Sequence, residues 1–125
     1  MKKFVLGTAL FLAIASIWAC AANKADVPTD VNCEGVNVDS NTYTLAVKPI
    51  LDASCATFAC HSAAVAESNV NLEAYTPAVA AFQNKDALCT IQHGTDCIPM
   101  PDNQPKLADS LIAIIQCWAE NGYKE

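Results

Sequence analysis

Seven of the 125 residues are cysteine, and a fold must do something with that much sulfur. Such density in a short chain goes with an oxidising compartment, a covalently held cofactor, or both. The length suits one domain. An apolar fraction of 53% against 16% charged residues excludes a fully disordered chain. With 7 Lys, no Arg and 13 acidic residues the formal charge is −6, which excludes nucleic-acid binding by phosphate neutralisation.

The first cysteine closes a segment with a purpose of its own. Lys2 and Lys3 precede an apolar run from Phe4 to Trp18, followed by Ala19 and Cys20; these are the charged, apolar and small-residue regions of a secretory signal. The run falls short of the roughly 20 residues of a bilayer crossing. Ile17-Trp18-Ala19-Cys20 resembles a bacterial lipobox, the bulky Trp18 apart. That resemblance implies a signal peptide over residues 1–19 and acylation of Cys20; plain cleavage, with Cys20 an ordinary thiol, is the alternative. Loss of Lys2 and Lys3 takes the charge from −6 to −8. Acyl chains at about 0.8 kcal/mol per buried CH2 then tether an acidic protein to a membrane surface outside the cytoplasm. Ala21-Ala22 carry no acidic inner-membrane retention residue, which favours the outer membrane. Residues 20–40 are polar, with scattered valines and no persistent period, and read as a tether. Cys33 is the sign that its distal half is pinned to the domain.

Residues 41–125 form the folded unit. Leu107, Leu111, Ile114, Ile115 and Trp118 make a helical stripe, with Asp109 and Ser110 near its start and Gly122 just past its end. The spacing predicts a helix over 108–121. Leu45, Val47, Ile50 and Leu51 predict another leading into Cys55, with Pro49 in its first turn or kinking it. Leu72 to Phe82 and Ala87 to Ile91 predict two more. No strand alternation occurs, so the expected class is all-α with long loops. A domain this small buries little apolar surface, and cofactors or disulfides usually supply the missing stability.

Cys55-Ala56-Thr57-Phe58-Ala59-Cys60-His61 presents two thiols followed at once by an imidazole. Haem attachment uses this combination: two thiols add across the porphyrin vinyl groups, and the adjacent histidine binds iron on the proximal side. The usual spacing has two residues between the cysteines, where this chain has four. The last three positions keep their relation to the iron if the extra residues loop out. A small Cys55–Cys60 disulfide with a surface His61 is the bland alternative.

Four further motifs stand around this segment in order: Val47-Lys48-Pro49-Ile50-Leu51, Asn71-Leu72-Glu73-Ala74-Tyr75, Pro99-Met100-Pro101, and Leu107 to Gly122 with Trp118. Together they resemble the small single-haem c-type cytochrome domains of bacterial envelope lipoproteins, over about Tyr43 to Tyr123, and the longer cysteine spacing is a variant among such lipoproteins. The resemblance implies a cytochrome c-like helical fold, covalent haem c on Cys55 and Cys60, His61 as proximal and Met100 as distal ligand. Pro99 and Pro101 stiffen the loop and lower the entropy lost when a thioether is held at iron. His93 is the rival axial ligand, or else a hydrogen-bonding group near the haem edge or propionates.

Cys33, Cys89, Cys97 and Cys117 then remain, an even number with three pairings. Cys89–Cys97 and Cys33–Cys117 is the favoured one, and the sequence leaves the others open. A zinc site from Cys55, Cys60, His93 and Cys97 is the competing use of these groups. The expected function is one-electron transfer by a lipid-anchored carrier that is not an enzyme, with redox proteins of the cell envelope as partners and no nucleic acid. A haem-free, disulfide-stapled lipoprotein serving as a binding or structural module is the alternative. A haem enzyme or gas sensor would need a vacant or labile distal site.

Overall fold

The structure, a computed structural model, describes residues 32–125. The signal segment, Cys20 and the start of the tether lie outside the described residues. Among the described residues there is no strand, and the class is all-α as the patterning predicts. Four α-helices follow one another: α1 (Lys48–Ser54), α2 (Tyr75–Asn84), α3 (Ala87–Ile91) and α4 (Asp109–Glu120). No helix among the described residues is long and apolar enough to cross a membrane.

A π-helical segment, Tyr43–Val47, leads directly into α1. The Thr42 side chain caps it by accepting from the Leu45 N–H. Pro49 sits in the first turn of α1. Proline lacks the N–H that would bond four residues back, and its ring crowds that carbonyl. The wider preceding turn, in which the Lys48 N–H reaches the Tyr43 carbonyl, lets the helix continue through it.

Helix α2 begins at Tyr75, three residues later than the apolar run predicts, with Pro77 in its first turn. Leu72 is instead a core residue outside any helix, whose N–H donates to the His61 carbonyl at 2.8 Å. Helix α4 matches its predicted span within one residue, and Gly122 adopts φ +80°, the left-handed conformation that ends a helix. Its first turn has no side-chain cap; Asp109 instead pairs with Lys106 at 2.7 Å on the exposed surface.

Trp118 is fully buried and organises the interior. Its ring meets Tyr43, Phe82 and Tyr123 at centroid distances of 5.9, 5.7 and 4.9 Å, the last two edge to face. Its indole N–H donates to the Lys124 carbonyl at 2.7 Å, folding the last residues back over α4. The deepest face of α4 is formed by Ile112, Ile115, Trp118 and Ala119, while Leu107, Leu111 and Ile114 of the predicted stripe are half-buried beside it.

Two cystines fasten this core. Cys33 pairs with Cys117 of α4 across 84 residues, and Cys89 of α3 pairs with Cys97 across 8. Their Cα separations of 5.7 and 6.0 Å are ordinary for disulfides. The favoured pairing is therefore the one present. Chain-entropy reasoning makes the first worth about 4–5 kcal/mol and the second about 2.5 kcal/mol. Cys33→Ala with Cys117→Ala should accordingly lower stability in guanidinium titrations by more than Cys89→Ala with Cys97→Ala; the reverse order would show that loop closure is not what the pairs contribute.

Candidate functional site

A cavity of about 840 Å³ opens among α1, α2, α3 and the loops after α1 and α3. That lies toward the upper end of the roughly 300–1,000 Å³ range of cofactor sites. Cys55, Cys60, His61 and Met100 all line it. Leu51, Leu72, Phe82 and Ile91 belong both to its wall and to the packed core.

Local hydrogen bonding explains how four residues fit between the two cysteines. Cys55 caps α1, and the Ala56 N–H reaches back to the Leu51 carbonyl at 2.7 Å. The chain then turns, with the Cys60 N–H donating to the Thr57 carbonyl at 3.0 Å. The His61 N–H closes the loop on the Cys55 carbonyl at 3.1 Å. The insertion is thus a closed loop that returns His61 to the end of α1. Its tip, Phe58, is 88% exposed.

The imidazole of His61 is held from the other side. Its Nδ1 lies 3.1 Å from the Val70 carbonyl. A carbonyl can only accept, so Nδ1 carries the hydrogen and the Nε2 lone pair is left available. Ligating histidines are characteristically oriented in this way by their second nitrogen. Val70 follows a left-handed turn in which Ala66, Ser68 and Asn69 have φ of 46°, 56° and 58°. Lys85, at the end of α2, donates to the Ser68 and Asn69 carbonyls at 3.2 and 3.1 Å and braces that turn.

Cys55 and Cys60 are unpaired, one buried and the other exposed, so the small loop disulfide is not formed. Burial, and secondarily the neighbouring Cys60, push the Cys55 thiol up to about 11. His93 does not line the cavity; its Nε2 lies 3.1 Å from the Met100 carbonyl. Cys97 is engaged with Cys89 and has no thiolate to offer zinc. Among the described residues no three His, Cys, Asp or Glu side chains cluster as a metal site. The rival zinc set is therefore not assembled among the described residues, and His93 is not brought to the wall as a rival ligand. The cavity is lined by two cysteines, a histidine with an oriented imidazole and a methionine, residue types suited to thioether formation and to ligation of iron.

No family model matches the chain, and no curated protein or solved structure matches it.

The thiols should differ in reactivity before any attachment. Iodoacetamide at pH 8 is expected to label Cys60 at least tenfold faster than Cys55, with Cys55 labelling still rising as the pH climbs toward about 11. Equal rates in the folded chain would contradict the burial of Cys55.

Proposed function

We propose that this chain is a single-haem c-type cytochrome that carries one electron at a time between redox proteins of the cell envelope. One observation carries the reading: Cys55, Cys60 and His61 of one loop line the same cavity as Met100, which lies far along the chain from them, with His61 Nδ1 already committed to the Val70 carbonyl. The donor set fits the group. Cys55 and Cys60 would hold it, each thiol adding across one vinyl group so that an S–C bond would form, the C=C bond become single and the thiol hydrogen pass to the neighbouring carbon, with no oxidant consumed. The haem, when bound, supplies the one-electron iron couple.

The chain's own residues do the rest. His61 offers Nε2 in a fixed orientation, and Met100 offers a thioether, which raises the potential relative to two imidazoles. Leu51, Leu72, Phe82 and Ile91 give the cavity an apolar wall. Covering such a wall with an apolar ring stabilises the complex by about 25 cal/mol per Å², and the exclusion of water further tunes the potential. With His61 and Met100 both holding the iron, no ligand position would remain for a substrate, and the protein would act as a carrier rather than an enzyme. Acylated Cys20 would hold it to the membrane, with the outer membrane favoured. The acidic surface favours basic or weakly charged partners in salt-sensitive encounters.

Expression in a bacterial host with haem-attachment machinery tests this directly. The purified protein should show sharp reduced absorption bands and a mass gain of one haem that survives denaturation. A colourless protein without that gain overturns the reading. Within a coloured protein, His61→Ala should abolish normal iron ligation. Met100→Ala should lower the potential and admit carbon monoxide rapidly to the reduced form; unchanged spectrum and potential would remove Met100 as the ligand.

A further inference from the structure

We propose that His93 is a positioning residue for Met100: its imidazole holds the Met100 carbonyl and so sets how readily the thioether leaves the iron. This inference rests on the reading of Met100 as a ligand.

Pro99 and Pro101 have no N–H, so the Met100 N–H is the only backbone donor of that tripeptide. It donates to the Thr90 carbonyl at 3.1 Å. The Met100 carbonyl is met by His93 Nε2 at 3.1 Å. Both backbone polar groups of Met100 are thus anchored to α3 and the turn that follows it. Elsewhere this stretch has little to hold it: Ile98 is 73% exposed and Pro99 is exposed.

His93 is itself placed deliberately. Its φ is +56°, a left-handed conformation disfavoured for residues with a Cβ but more often adopted by His, Asn and Asp than by others. The His93 N–H donates to the same Thr90 carbonyl at 3.2 Å, so that one acceptor ties down both ends of the His93–Met100 link. The Cys89–Cys97 pair closes the loop that contains His93. Gly94 passes so near that a Cβ there would sit 2.7 Å from Cys89 Sγ. The closed loop and the left-handed backbone hold His93 where its Nε2 reaches the Met100 carbonyl. The imidazole does not line the cavity, and its Nε2 is engaged by the Met100 carbonyl.

The test is carbon monoxide binding to the reduced full-length holoprotein, because gas enters only when Met100 has left. His93→Ala and His93→Asn should each speed binding about fivefold, the loss of one ordinary hydrogen bond. Asn tolerates the left-handed backbone but reaches only as far as Nδ1. His93→Gln, whose amide reaches about as far as Nε2, should return the rate to within about twofold of wild type. Hydrogen exchange at the Met100 amide should follow the same order. In a Met100→Ala background all three substitutions should leave the fast rate unchanged. A coloured protein in which His93→Asn binds carbon monoxide at the wild-type rate overturns this inference alone. So does an effect that persists without Met100. A colourless wild-type protein overturns the cytochrome reading and this inference with it.

Discussion

Leu51 of α1, Ala81 and Phe82 of α2 and Ile91 of α3 each belong at once to the packed interior and to the wall of the cavity. That shared wall governs the rest of the domain. A chain this short cannot build a thick core and a separate binding site, so the site is one side of the core. Helix α4 backs it: Trp118 stands edge-on to Phe82 and holds the C-terminal residues over itself through its indole N–H. The two cystines lie away from the cavity wall and fasten the helices that line or support it.

The loops on either side of the cavity are held mainly by backbone hydrogen bonds. His61 is fixed three times: its N–H on the Cys55 carbonyl, its carbonyl by the Leu72 N–H and its Nδ1 on the Val70 carbonyl. Met100 is fixed twice, by Thr90 and His93. Left-handed residues without the freedom of glycine gather beside both: Ala66, Ser68 and Asn69 before Val70, and His93 and Asn103 on either side of Met100. Such conformations cost energy and persist where the surroundings over-determine them, commonly at functional sites. Here the first group leads into the Val70 carbonyl that meets His61, and His93 meets the Met100 carbonyl, the two residues proposed to hold the iron.

Much of the local structure was legible in the sequence. The 3.6-residue stripe of α4, the glycine that ends it and the short helix before His93 all follow from neighbouring side chains. The late start of α2 was not legible, because Leu72 is apolar enough for a helix but its N–H is taken by the His61 carbonyl, a partner far back in the sequence. Nor was the π-helical turn before Pro49, which depends on carbonyls several residues back finding other donors. The role of His93 was hidden for a related reason. A histidine seven residues from a methionine has the same sequence whether it faces a cavity or a carbonyl.

Composition and spacing by themselves determined an acidic, cysteine-rich, all-α unit with two thiols and an imidazole at the end of a helix, since each of these depends on residues within a few turns of one another. Which cysteines pair, that Met100 shares a cavity with His61, and that His93 turns from that cavity to the Met100 backbone were decided only by the tertiary structure. Those facts depend on where segments separated by tens of residues come to rest, and burial of Trp118 and the shared apolar wall, rather than local spacing, set that arrangement.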